Sequence, residues 1–270
     1  MIILKCDYTE AILLIKARVP SGIEGFDELL NGGIPKERNF LVMGGPGTGK
    51  TTFALQYIVK GAIDYGEPGI FITTEQSPYE IKRDAKSFGW DLDKLEDDGL
   101  IRILNAVPTP MPGQTREIVL PEINPNVGYI EYTIDDVLSA FFDLARTINP
   151  KRVAIDSITQ FLFLEQDPLK MRGNIIRFVN TLKRNRMTIV STAQKYMSGS
   201  MFHDVLAFIA DGVLVLYLLR RGVEKIRACE IIKVRGSKHS LKTVEMEISE
   251  KGIVIYPEKT IEISEEIIIF

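Results

Sequence analysis

Residues 44–51, Gly44-Gly45-Pro46-Gly47-Thr48-Gly49-Lys50-Thr51, match the pattern G-x-x-x-x-G-K-[ST] at every specified position. No other stretch limits so narrowly what this chain can fold into. The apolar run Asn39-Phe40-Leu41-Val42-Met43 before it predicts a buried strand, and Phe53, Leu55, Tyr57, Ile58 and Ile63 give the following segment, through Tyr65, helical spacing. The motif therefore sits in a strand-loop-helix context. Glycines let the backbone approach phosphate oxygens, and the new helix offers unpaired N–H groups at the positive end of its dipole. Lys50 supplies a point charge for the β- and γ-phosphates, the Thr51 hydroxyl is placed to ligate Mg²⁺, and Thr52 continues the first turn. A nucleotide is the expected ligand.

The chain's 270 residues suit one large α/β domain, with or without an appendage. Thirty-three basic residues face 36 acidic ones, so net charge gives no case for nucleic acid or an acidic membrane. Cys6 and Cys229 lie far apart without Cys/His ligand spacing, which argues against a disulfide framework and a zinc site and leads us to expect cytoplasmic thiols. Apolar runs such as 213–219 fall far short of the ~20 residues that span a bilayer, so no membrane partner is expected.

Segment 1–18 reads as a strand pair or a short helix and is set apart as an N-terminal extension. Gly69-Ile70-Phe71-Ile72-Thr73-Thr74 predicts a second buried strand, and Ser77-Pro78-Tyr79-Glu80 a helix start with a capping box. Glu75 is left in the turn at a strand's carboxyl end, where ligands of α/β sheets gather. By position alone it is either a solvated loop glutamate or a carboxylate that orients attacking water. Ile101-Arg102-Ile103-Leu104 is a third strand candidate. Residues 107–131 are proline-rich without a period and read as a long loop insertion, ranked ahead of a lid or a subunit contact. Segment 133–148 predicts an amphipathic helix with Asp135 and Asp136 in its first turn.

Arg152-Val153-Ala154-Ile155-Asp156-Ser157 is an apolar strand ending in an acid, a pattern suited to holding Mg²⁺ through Asp156. Segment 169–186 predicts a helix that leaves Lys170, Arg172, Arg177, Lys183, Arg184 and Arg186 mostly outward; a solvated surface is favoured over a DNA-binding face. Strand 187–194 ends in Thr192 and Gln194, and 195–204 reads as a Ser/Gly/Met-rich loop. Segments 211–220 and 225–234 predict an antiparallel pair, and 245–248 with 253–256 a closing hairpin.

Four features together resemble the RecA-like ATPases of the KaiC and RadA type. They are Gly22-Ile23-Glu24-Gly25-Phe26-Asp27 with Gly32-Gly33-Ile34-Pro35, the phosphate loop, the strand-end Glu75 with Asp156, and Lys233-Val234-Arg235-Gly236-Ser237-Lys238-His239, which fits K-x-R-G-[ST]-x-H. The resemblance covers 19–256, leaves 257–270 as a C-terminal tail, and implies a mostly parallel α/β sheet flanked by helices, with antiparallel strands at its C-terminal end. It implies an ATPase using ATP and Mg²⁺, with Glu75 orienting water, Asp156 and Thr51 on the metal, and Gln194 sensing the γ-phosphate. In ring-forming relatives the lysine and arginine of the last motif reach a neighbour's γ-phosphate, which assigns Lys233 and Arg235 to a site completed in a homo-oligomer, such as a hexamer-like ring. Two departures stand out. Gln76 replaces the second of two adjacent glutamates, and Ala207 and Phe208 stand where self-phosphorylating members carry Ser and Thr. Besides the ATPase, two readings stay open: a RadA-like accessory protein of recombination and repair that binds single-stranded DNA, and a slow ATP-dependent switch that binds a protein partner.

Overall fold

The computed structural model describes residues 17–107, 133–163, 167–194 and 201–262. The expected long loop, most of the N-terminal extension and the end of the tail lie outside them. A two-residue strand pair opens the described chain, β1 (Arg18–Val19) with β2 (Ile34–Pro35), around the short helix α1 (Phe26–Leu29). Arg18 thus belongs to a paired strand.

The remaining strands form one nine-stranded sheet. They are β3 (Asn39–Gly44), β4 (Gly69–Thr73), β5 (Ile101–Asn105), β6 (Arg152–Asp156), β7 (Thr188–Gln194), β8 (Gly212–Arg221), β9 (Glu224–Val234), β10 (Val244–Ser249) and β11 (Gly252–Thr260). Their order is β11-β10-β9-β8-β3-β7-β6-β4-β5, parallel from β8 to β5 and antiparallel from β8 to β11. Because side chains alternate across a strand, β3 sends Phe40 and Val42 into one core and Leu41 and Met43 into the other. Burial on both faces explains why the parallel strands read as continuous apolar runs.

Helices α2 (Lys50–Tyr65), α3 (Pro78–Lys86) and α4 (Leu92–Asp97) pack on the first face; α5 (Ile134–Ile148), α6 (Pro168–Arg184) and α7 (Met201–Ile209) pack on the second. Their starts follow local chemistry. Ser77 and Glu80 form the expected capping box on α3, Thr133 and Asp136 form one on α5, and Asp167 accepts from the backbone N–H groups of Leu169 and Lys170 on α6. Two expectations shift. Helix α7 begins at Met201, inside the stretch read as a loop to residue 204, and β11 runs to Thr260, past the expected start of the tail at Pro257.

Asp211 ties the central strands together. It is 3% exposed and accepts from Arg38 Nη1 at 3.0 Å, the Asn39 backbone N–H at 3.0 Å and Lys183 Nζ at 2.7 Å. Burial works against its charge, but the Lys183 bond, the Asn39 bond and the two cations outweigh that and hold its carboxyl below the usual range. With the folded-state pKa below the unfolded one, this stabilisation is fully present above about pH 4 and is lost as pH falls through the lowered value. Asp211→Asn is expected to cost about 1.5–3 kcal/mol at pH 7. In urea denaturation, its deficit against the unsubstituted chain should shrink toward pH 3; a deficit independent of pH would contradict this account.

Candidate functional site: a phosphate loop at the centre of the sheet

Strand β3 ends at Gly44 and α2 begins at Lys50, so the loop between them leaves the middle of the sheet and enters a helix directly. A Cβ on Gly44 would lie 2.5 Å from Thr48 Oγ1 and 2.9 Å from the Leu216 carbonyl oxygen, so only glycine fits there. Gly49 holds φ at 105°, in the left-handed region, and starts α2 without any side-chain cap. The N–H groups of the first turn, from Lys50 through Thr52, are therefore offered to an external acceptor. Thr48 Oγ1 donates to the Gly45 carbonyl at 2.8 Å, and Lys50 Nζ donates to the same oxygen at 2.8 Å; Pro46 and Gly47 form the exposed crest. Burial lowers the Lys50 pKa, while the carboxylates of Asp156 and Glu75 act to raise it.

Parallel register brings the other candidates to the same edge. Asp156 closes β6, is 5% exposed and accepts from Thr192 Oγ1 at 2.5 Å. It also shares a hydrogen bond with Thr51. Burial raises its pKa; the bonds from Thr192 and Thr51 lower it, Glu75 raises it and Lys50 lowers it. A hydroxyl and a carboxylate are hard oxygen donors, so Thr51 and Asp156 fit Mg²⁺, whose charge would offset the burial of the acid. No group of three or more His, Cys, Asp or Glu side chains arranged for a metal occurs among the described residues.

Glu75 stands exposed beyond the end of β4, with Gln160 Nε2 donating to its Oε1 at 3.4 Å. Gln160 belongs to a 3₁₀ turn, Ile158–Phe163, whose Thr159 Oγ1 also accepts from the Gln194 backbone N–H at 3.2 Å. One turn thus braces both Glu75 and Gln194. Gln194 pairs in register with Gly44, beside the loop's first residue. Thr74 fixes the edge further: its N–H bonds to the Asp156 carbonyl at 2.8 Å, and its hydroxyl bonds to the Ser157 backbone. Gln76 turns away, its amide donating to Asp84 Oδ2 on α3 at 3.2 Å.

Lys233 on β9 and Arg235, one residue past the strand's end, reach the same helix end and do not join this cluster. Lys233 pairs with Val213, which pairs with Leu41, three residues before the loop begins. Lys233 Nζ donates to the Ala207 carbonyl at 2.6 Å, and Arg235 Nη2 to the Phe208 carbonyl at 2.6 Å, both at the carboxyl end of α7. Burial and then the Arg235 charge lower the Lys233 pKa, against a raising effect of Asp211. The sequence reading missed Arg227, whose Nε donates to the Gly47 carbonyl at 3.1 Å. A lone arginine in a hairpin strand carries no local signal; only the β8–β9 register points it at the loop. The basic face of α6 is partly neutralised, since Arg177 pairs with Asp135 and Lys183 with Asp211.

This arrangement defines a RecA-like P-loop nucleotide-binding domain: a mostly parallel sheet with its phosphate loop at the carboxyl end of a central strand. The family model "ATPase: KaiC" matches residues 19–260, and the chain belongs to that family. It is 35% identical to the circadian clock oscillator protein KaiC of Synechococcus elongatus over 89% of its own length and 44% of that protein's. The chain therefore spans less than half of this longer relative. It is 33% identical to UPF0273 protein MJ1359 of Methanocaldococcus jannaschii, covering 91% of the chain and 99% of the relative. Among solved structures it resembles the KaiC-like protein PH0186 of Pyrococcus horikoshii, with 36% identity, a TM-score of 0.74, and coverage of 89% of this chain and 99% of that one. No described helix is long and apolar enough to cross a membrane.

Lys50→Ala is expected to weaken ATP binding by ~100-fold or more, the loss of charge-assisted bonds to more than one phosphate. A fluorescent-ATP titration measures it, and unchanged affinity would remove the loop from the binding site.

Proposed function

We propose that this chain hydrolyses ATP with Mg²⁺, and that each site is completed by Lys233 and Arg235 of a neighbouring copy in a homo-oligomer. The carrying observation is the separation inside one chain: Glu75, Asp156, Thr51 and Lys50 converge on the phosphate loop, while Lys233 and Arg235 lie toward the other end of the strands. Two cations directed at the same helix end, away from their own phosphate loop, suit a phosphate presented from outside.

In this reading the loop N–H groups and Lys50 hold the β- and γ-phosphates. Mg²⁺, when bound, neutralises phosphate charge and would be held by Thr51 and Asp156. Glu75, braced by Gln160, accepts a proton from the attacking water and fixes its line of approach. Gln194, tied to the same 3₁₀ turn, carries the state of the γ-phosphate into the segment that follows. Lys233 and Arg235 must leave the α7 carbonyls to reach a neighbour, and the charge that develops on the transferred phosphoryl group gives them a stronger partner.

A slow switch remains the second reading, because Gln76 binds Asp84 and supplies no second carboxylate beside Glu75. Negligible turnover in the assembled, ATP-saturated state would select it.

Specific ATPase activity should rise with protein concentration as copies assemble. Glu75→Gln should bind ATP normally yet turn it over ~100-fold or more slowly, the loss of a general base. Mixing Lys50→Ala with Arg235→Ala should restore activity that neither variant has alone, since the mixture contains intact loops facing intact cations. No recovery on mixing, with both variants folded and assembled, would place the site within one chain.

A further inference from the structure

Glu75 is exposed, and its main chain is far better fixed than its side chain. On one side Thr74 is latched to the end of β6. Its N–H donates to the Asp156 carbonyl at 2.8 Å, and its hydroxyl accepts from the Ser157 N–H at 2.8 Å and donates to the Ser157 carbonyl at 2.9 Å. On the other side Thr73 Oγ1 donates to the Gln76 carbonyl at 2.6 Å, and the Gln76 amide is drawn off to Asp84 on α3. The carboxylate is left with one hydrogen-bond partner among the described residues, Gln160, whose Nε2 lies 3.4 Å from Glu75 Oε1. A glutamate on an exposed turn otherwise samples many rotamers, so a group that selects one decides where the carboxylate points.

Gln160 is itself firmly carried. Ile158, Phe161 and Leu162 of its 3₁₀ turn are buried in the second core, and the Phe161 ring meets Phe178 of α6 edge-on with centroids 5.2 Å apart. Thr159 is buried too, its Oγ1 accepting from the Gln194 N–H. Across 158–162 only Gln160 escapes burial. A polar side chain on the outside of a turn needs no explanation by itself. What sets Gln160 apart is its target, reached across the edge where β4 and β6 lie side by side.

An amide has the chemistry this position requires. Its N–H donates to a carboxylate without neutralising it, whereas a lysine would compensate the charge that a base must use and a second carboxylate would repel it. A separation of 3.4 Å is long for such a bond, as catalytic contacts often are before substrate is bound.

We propose that Gln160 is the positioning residue of Glu75: its amide holds one carboxylate oxygen across the β4–β6 edge and leaves the other directed at the attacking water. This role rests on Glu75 serving as the base in the function proposed above. Gln160 thereby gives, from the turn after the neighbouring strand, the support that Gln76 does not give while bound to Asp84. It touches neither nucleotide nor metal and acts only through Glu75.

The test is single-turnover ATP hydrolysis by the full chain at a concentration that supports assembly, with ATP affinity and urea stability measured in parallel. Gln160→Met keeps length and bulk but removes the donor. It should slow hydrolysis ~10-fold or more, the effect of a misplaced reacting group, with affinity and stability unchanged. Gln160→Glu has the same shape and no donor when ionised, and should slow hydrolysis at least as far. In a Glu75→Gln background, adding Gln160→Met should alter the remaining rate by less than about twofold, because no carboxylate is left to position. A loss of equal size in both backgrounds, or a fall in ATP affinity, gives Gln160 a different role and overturns the proposal. Full activity of Gln160→Met beside an impaired Glu75→Gln overturns it as well, while leaving Glu75 as the base. Full activity of Glu75→Gln removes the base and this role together.

Discussion

Helix α2 starts without a side chain to cap it, and the rest of the site is arranged around that fact. Helices α3, α4, α5 and α6 each open on a serine, aspartate or threonine whose oxygen accepts from the first turn. Helix α2 opens on Gly49 in a left-handed conformation, with no acid in its first turn. A helix end that presents several donors and a partial positive charge favours an anion strongly, and the strand before it fixes where that anion must sit. Because β3 is buried on both faces and flanked by parallel β7 and β8, the uncapped end emerges at the one sheet edge where Asp156, Glu75 and Gln194 also finish. The same carboxyl-end edge that offers these donors therefore also holds Asp156, Glu75 and Gln194.

Electrostatics around this end are finely opposed. Burial lowers the Lys50 pKa and raises that of Asp156, so each charged form is costly alone and each is supported by the other. Under the proposed function, a phosphate with its cation would supply the missing charges, negative beside Lys50 and positive beside Asp156. Opposing costs of this kind make a binding site of groups that would otherwise be poor choices for an interior. Asp211 follows a different logic at the far end of the strands. Two cations and a backbone N–H stabilise its charge, and it contributes to holding β3 against β8.

Much of this was legible in the sequence wherever chemistry and structure are local. The phosphate loop, the capping boxes at Ser77 and Thr133, the acid at the end of β6 and the apolar runs of the parallel strands all declare themselves within a few residues. What failed to show depends on register between distant segments. Arg227 meets Gly47 only because β9 folds back on β8, and Gln160 meets Glu75 only because β4 and β6 are neighbours. The outward charges of α6 looked uniform in the sequence, yet Arg177 and Lys183 have carboxylate partners that no helical wheel could supply. Helix α7 was read as loop down to residue 204 because its first residues follow a Ser/Gly stretch and carry no capping signal.

The positions of Lys233 and Arg235 tie these threads together. Side chains of this length cannot cross from the level of Leu41 to the loop beyond Gly44 while also spanning two strand spacings of about 5 Å each. Within one chain they rest instead on the carbonyls that end α7, the negative pole of a helix, which satisfies their charge without neutralising it. A carbonyl pole is a weaker partner than a phosphate, so these contacts can be exchanged at little cost when a stronger anion arrives. The domain thus carries an anion-seeking helix end at one edge of its sheet and exchangeable cations toward the other. Two copies set edge to edge would bring the first of these to the second, and under the proposed function assembly and chemistry would then be one question.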